Sequence, residues 1–224
     1  MEIDYRNLVV KKPWGHEYLV YENENLGVWY LNILPGESTS LHCHPKKNTG
    51  FVVLDGSVNL KFLRGEMSLT APDKVHIFRG RFHSSTCTSS SPAHILEIEV
   101  PQDKHDLVRL EDNYGRSKKP YEGEKHHLTR DDSHLWITDQ AGISYDFNHC
   151  TLQILEVSKQ DLTCVNSDSI LIFLRGGLYH DDNTGDILQP GDVVTDDIMR
   201  LLAGKFSVRD RTTVLMVTKN ESHI

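Results

Sequence analysis

The sequence predicts an all-β protein of the sandwich or barrel kind. Three observations carry that expectation: the spacing of the apolar runs, the turn chemistry between them, and the lack of a useful amphipathic helix between residues 17 and 100. There, short runs rich in Val, Ile, Leu, Phe and Tyr follow one another as EYLVYE, GVWYLNIL, TGFVVL, VNLKFL, KVHIF and AHILEIEV. Leu34-Pro35-Gly36-Glu37 and Leu54-Asp55-Gly56-Ser57 read as tight turns, since Pro presets φ and Gly accepts positive φ. A chain of 224 residues buries a real core, and its length fits either one large domain or two small ones.

Between Pro101 and about Asp132 the composition turns strongly charged, with Gly and Pro breaks after residue 114, and reads as a connector. Its first piece, DKHDLVRLED, is compatible with a short helix lying across a sheet. Beyond it, LQILEVS, SILIFLRGG, GDILQPGDVV and TTVLMVTK return to short strands. The halves repeat. Gly56 closes FVVLDG and Gly176 closes LIFLRG, while Pro72-Asp73-Lys74-Val75 and Gly191-Asp192-Val193-Val194 follow them after 16 and 15 residues.

Lys and Arg total 24 against 32 Asp and Glu, a net charge of -8, which argues against a protein that coats nucleic acid. No basic-then-apolar leader opens the sequence and no apolar run approaches a bilayer span, so a cytoplasmic protein without membrane partners is expected. Cys43, Cys87, Cys150 and Cys164 are too few and too scattered for a disulfide framework or a zinc ribbon. Histidine, at 13 residues, is well above ordinary usage. Imidazole is the commonest transition-metal ligand.

His42-Cys43-His44 is the sharpest local signal. Side chains at i and i+2 of a strand face the same side, so the two imidazoles point together and Cys43 points away. They can chelate one ion if a neighbouring strand adds a third ligand, for which His83 is the candidate. These spacings resemble the cupin pattern. Gly36, five residues and HxH lead to the closing Gly56; Pro72, Phe78, Gly80 and His83 stand in the places of a second motif. The resemblance implies that His42, His44 and His83 are metal ligands. The first motif's Glu falls on Thr49, a departure from the pattern.

Residues 12–116 further resemble the cupin domain of bacterial type II mannose-6-phosphate isomerases, and standalone cupins of surface-polysaccharide sugar synthesis. Lys12-Pro13-Trp14-Gly15, Ile98-Glu99-Val100 and the closing DLVRLEDNYGR of Asp106–Arg116 carry the likeness. His42 stands where the isomerases have Gln. The resemblance therefore implies one divalent transition metal (Zn, Ni, Mn or Fe) on three neutral ligands, which leaves its charge uncompensated and favours an anionic ligand. Glu97 and Glu99 share a strand face and could supply a carboxylate or a general base. Lys46, Lys47, Arg79 and Arg81 either hold a sugar phosphate or are solvated loop charges.

In the second copy Leu162, Cys164 and Leu202 occupy the three ligand positions. The expected organisation is thus a tandem cupin of two jelly-roll barrels, with a metal-binding barrel over residues 1–116, a connector over 117–132 and a degenerate barrel over 133–224. His126, His127, His16, His94, His105, His134, His149, His180 and His223 show no partner spacing and are expected on loops or surface; Trp14 and Trp29 are expected to pack rather than bind. The resemblance implies a metal-dependent, isomerase-like or epimerase-like cupin, working as a homodimer on a sugar phosphate or nucleotide sugar. The alternatives are a three-His non-haem Fe(II) dioxygenase and a non-catalytic sugar-binding cupin.

Overall fold

A computed structural model describes residues 3–116, 119–181 and 185–220. The chain divides into two compact units, the first holding residues 1–22 and 27–136, the second residues 23–26 and 137–224. The first unit runs β1 (Leu8–Lys12), β2 (Gly15–Glu22), β3 (Gly27–Ile33), β4 (Leu41–Cys43), β5 (Asn48–Asp55) and β6 (Ser57–Phe62). It continues with β7 (Glu66–Thr70), β8 (Lys74–Ile77), β9 (His83–Cys87), β10 (Ala93–Val100), β11 (Val108–Glu111) and β12 (His127–Thr129). These strands form two antiparallel sheets, ordered β12-β1-β2-β3-β10-β5-β8 and β11-β4-β9-β6-β7. Leu31, Val53 and Ile95 from one sheet meet Val58, Leu60 and Cys87 from the other in one apolar core. The unit is a jelly-roll, as the short alternating strands predict.

Strand alternation divides this interior into an apolar and a polar end. Along β10, Ile95 joins the core while Glu97 and Glu99, two and four residues on, face the same way into a cavity. Register across β10 and β5 sets Glu99 beside Thr49, and register across β4 and β9 sets His42 beside His83.

Two short motifs close the barrel for identifiable reasons. Gly15 has φ +143°, and a Cβ there would lie 1.9 Å from the Asn32 carbonyl oxygen, so the turn after Trp14 admits only glycine. At the other end, the Tyr114 hydroxyl donates to Glu37 at 2.5 Å and accepts from the Ser38 amide at 3.2 Å, tying the YGR turn to the PGE turn.

The piece read as a short helix is strand β11, paired with β4. Its sequence alternates, with Val108 and Leu110 exposed and Arg109 turned inward, and that period of two overrides the helical reading. The charged stretch read as connector packs into the first unit. It adds β12 to β1 and brings Tyr121 and Glu122 against Lys12.

The second unit contains β13 (Ser144–Phe147), β14 (Cys150–Glu156), helix α1 (Lys159–Thr163), β15 (Ser169–Arg175), β16 (Leu178–Tyr179) and β17 (Asp186–Leu188). It then adds β18 (Val193–Thr195), helix α2 (Asp196–Ala203), β19 (Ser207–Val208) and β20 (Thr213–Lys219). Its larger sheet, β13-β14-β20-β15-β18, repeats the order β2-β3-β10-β5-β8 strand for strand. Gly56 and Gly176 follow equivalent strands with φ of +75° and +68°. The all-strand expectation for this half misses α2, where Asp196 and Asp197 suit a helix N-terminus and Met199 and Ala203, four apart, are buried. Leu162 lies in α1, Cys164 at its C-terminal cap and Leu202 in α2, so none of the three is an imidazole on a strand.

Gly15→Ala is expected to cost the first unit about 2 kcal/mol or more through backbone strain and the collision with Asn32. Trp14, Trp29 and Trp136 all belong to that unit, so tryptophan fluorescence during thermal unfolding reads it selectively. An unchanged midpoint would refute the steric argument.

Candidate metal centre

The inward side chains of β4 and the first residue of β9 bring His42, His44 and His83 together, with ligand nitrogens all within 4.8 Å of one another. Each ring donates Nδ1–H to a backbone carbonyl: His42 to Ser40 at 2.7 Å, His44 to Asp106 at 2.7 Å and His83 to Arg81 at 3.0 Å. That fixes the tautomer and leaves every Nε2 with its lone pair. The Nε2 atoms of His44 and His83 are buried without a hydrogen-bond partner, which is costly for a polar atom unless an ion takes it up. The span slightly exceeds two metal–nitrogen bonds of about 2.1 Å, so the rings draw inward around an ion. The donor set fits a divalent transition metal.

Burial keeps these imidazoles neutral. His44 is lowered to about 3, first by burial and then by the Lys47 ammonium; His83 is lowered to about 4, again mainly by burial. His42 falls well below the usual range through burial and its two imidazole neighbours. Asp106 orients the group twice. Its carbonyl accepts from His44, and its carboxylate accepts from the amides of Lys46 and Lys47, both at 2.9 Å.

The imidazoles open onto a cavity with Trp14, Leu31, Phe51 and Leu107 on its apolar wall. Glu97, Glu99, Glu17, Lys12, Lys47 and Lys104, with Arg109 and Arg116, supply its charges. Glu99 Oε1 accepts from Lys47 at 2.8 Å and Lys104 at 2.9 Å, while its Oε2 is buried without a partner. Burial opposes ionisation of Glu99, but Lys104 and Lys47 outweigh it and hold the carboxyl below its usual range. Glu97 goes the other way. Burial raises it well above the usual carboxylate range, and neighbouring Glu99 adds to the rise against the pull of Lys104. Glu17 is held to about 2, because Lys104, Lys12 and a hydrogen bond from Tyr121 overcome its burial. Lys104 also sits 3.6 Å over the Trp29 ring.

Of the residues singled out in the sequence, His42, His44, His83, Glu97, Glu99 and Lys47 gather at this site. Lys47 is committed to Glu99. Lys46, Arg79 and Arg81 are exposed and do not line the cavity, Arg81 lying over Phe62 instead. Trp14 packs at the barrel mouth, and Cys43 is buried away from the imidazoles; no disulfide joins any of the four cysteines. Lys12, Glu17, Lys104 and Tyr121 escape the sequence reading because they come from four separate segments with no shared spacing. His16 and His94 do not stand alone: with Tyr18, Tyr30 and His134 they form an aromatic cluster, Tyr18 and His134 meeting edge to face at 4.9 Å. His223 lies outside the described residues.

A jelly-roll with three imidazoles converging at one end defines a cupin. Within that class, residues 3–112 match the family model described as mannose-6-phosphate isomerase C-terminal, in agreement with the resemblance carried by residues 12–116. Similar proteins include a mannose-1-phosphate guanylyltransferase of Klebsiella pneumoniae, 26% identical over 113 residues, which are 50% of this chain and 24% of that protein. The alginate biosynthesis protein AlgA of Pseudomonas putida is 26% identical over 118 residues, covering 52% and 24%. The xanthan biosynthesis protein XanB of Xanthomonas campestris pv. campestris is 27% identical over 112 residues, covering 48% and 24%. The chain thus spans about a quarter of the length of these relatives. Among solved structures, a double-stranded beta-helix protein of Klebsiella pneumoniae aligns with a TM-score of 0.40 at 18% identity, over 43% of this chain and 84% of that one. No helix among the described residues is long and apolar enough to cross a membrane.

Elemental analysis is expected to find about one transition-metal ion per chain, lost in His42→Ala and in His83→Ala. Retention of the ion in both variants would exclude this centre. Without metal, acid should destabilise the first unit. Unfolded imidazoles take up protons below about pH 6.5, whereas folded His44 and His83 resist until about 3 and 4, so the unfolded state binds more protons in that window and stability falls with pH. Glu97, protonated more readily when folded, offsets about one of these protons. In EDTA, urea unfolding followed by tryptophan fluorescence should lose on the order of 2 kcal/mol between pH 7 and 5. A flat profile would contradict neutral buried imidazoles.

Proposed function

We propose that the first unit is a metal-dependent cupin that isomerises a sugar phosphate, or acts similarly on a nucleotide sugar, in surface-polysaccharide synthesis. The observation that carries this reading is the pair Glu97 and Glu99, two carboxyls on one strand face whose environments drive their protonation apart beside three neutral imidazoles. The relatives' names, which include alginate and xanthan biosynthesis proteins, support the substrate class.

A divalent ion on His42, His44 and His83 would supply Lewis-acid polarisation of a substrate carbonyl and its neighbouring hydroxyl. Proton movement falls to the chain. Glu97, whose raised affinity for a proton suits exchange near neutral pH, removes the proton from one sugar carbon and returns it to the next. Glu99, kept anionic by Lys47 and Lys104, fixes the local charge against which Glu97 titrates. Trp14, Leu31 and Phe51 exclude water from the transferred proton. The second unit, with a repeated sheet order and no imidazole cluster among its described residues, serves in this reading as a degenerate cupin in a cytoplasmic homodimer.

Interconversion of mannose 6-phosphate and fructose 6-phosphate tests the proposal on protein loaded in turn with Zn, Ni, Mn and Fe. Glu97→Gln should lower kcat by about 10²–10⁴ with little change in KM. Three imidazoles also suit Fe(II) with open positions, so bound iron together with oxygen consumption would move the assignment to a dioxygenase. Sugar binding without turnover under any metal, unaffected by His42→Ala, would leave a binding module.

A further inference from the structure

Beside the metal centre, three cations from separate parts of the first unit converge on one carboxylate. Glu122 Oε1 accepts from Arg116 at 2.6 Å and from Arg109 at 3.2 Å, and Oε2 accepts from Lys12. The side chains of Glu122, Lys12 and Arg109 are each only 4% exposed. Lys12, Arg109 and Arg116 also line the cavity that holds the imidazoles. The occupant does not satisfy them fully. Arg109 donates from Nη1 to the carbonyls of Lys119 and Pro120, both at 2.7 Å, and from Nη2 to Glu122, while its Nε is buried without a partner. Arg116 is shared with Asp112 at 2.6 Å and Lys12 with Glu17 at 3.4 Å.

We propose that Lys12, Arg109 and Arg116 form a binding site for the phosphate group of a phosphate monoester, and that Glu122 is an internal stand-in which the phosphate displaces. A carboxylate brings one charge and two oxygens; a phosphate brings up to two charges and three oxygens, which match three cations and the spare Arg109 donor. Glu122 comes from the charged stretch after β11 and can leave without unpairing a strand, since it lies between β11 and β12. Tyr121 holds that stretch down, its hydroxyl donating to Glu17 and its ring lying 3.8 Å under the Lys12 ammonium. While Glu122 is seated, phosphate meets a site that is only fractionally open, so its apparent affinity is reduced by that fraction. The choice of a phosphate ester rests on the proposed function; the cation cage needs no metal.

Calorimetric titration of the full-length, metal-free protein with inorganic phosphate at pH 7 tests this, and metal content or turnover cannot mimic its result. Glu122→Gln should bind phosphate at least about tenfold more tightly than the wild type, and Arg109→Gln at least about tenfold more weakly. Tyr121→Phe keeps all three cations and the ring under Lys12 but removes the hydroxyl that ties this stretch to Glu17, so it should also tighten binding. Equal phosphate affinity in Glu122→Gln and wild type, with native tryptophan fluorescence, would overturn the proposal. If Glu122→Gln does not fold, an unchanged affinity in Tyr121→Phe overturns it equally. Acetate binding as tightly as phosphate would overturn the phosphate assignment.

Discussion

Burying Lys12, Lys47 and Lys104 inside a β-barrel is tolerable only because each ammonium meets a carboxylate. Glu17 faces Lys12 and Lys104, Glu99 faces Lys104 and Lys47, and Glu122 completes Lys12. Loss of any one partner would leave an uncompensated charge in a low-dielectric interior, which costs several kcal/mol. Such pairs contribute little net stability compared with an apolar core of the same volume. Their place at the polar end of the cavity, beside three imidazoles with free lone pairs, gives them a role that packing alone does not. They hold Glu99 anionic and Glu17 ionised in a space where an isolated carboxyl, as at Glu97, takes up a proton instead.

The candidate metal centre is legible because it depends on short-range geometry. His42 and His44 share a face by strand parity, and His83 stands opposite His42 because β4 and β9 pair. Glu97 and Glu99 follow from the same parity. Lys46 and Lys47 were not separable by sequence, since adjacent residues differ only in which side of the strand entrance they take; one is exposed and the other is fixed on Glu99. The charged stretch after Gly115 hides its packing for a related reason. Its composition is that of a solvated connector, yet half-buried Tyr121 and buried Glu122 pack against Lys12, more than 100 residues away in sequence. No local pattern encodes that partnership. The same holds for α2, whose apolar positions emerge only once the preceding strand is seen to stop at Thr195.

The missing motif carboxylate has a physical counterpart in the barrel. Thr49 faces inward from β5 and Glu99 faces inward from the paired position on β10, so the carboxylate at this height is carried by the neighbouring strand. A second carboxylate at position 49 would crowd Glu99, and two like charges in one buried site force one of them neutral. Lys47 and Lys104 both bond Glu99 Oε1, leaving Oε2 without a partner, and the buried hydroxyl of Thr49, at the paired strand position, also lacks one. The pairing of Thr49 with Glu99 therefore leaves Glu99 as the one carboxylate of this cross-strand pair. Two lysines set its charge, and the three imidazoles stay wholly neutral.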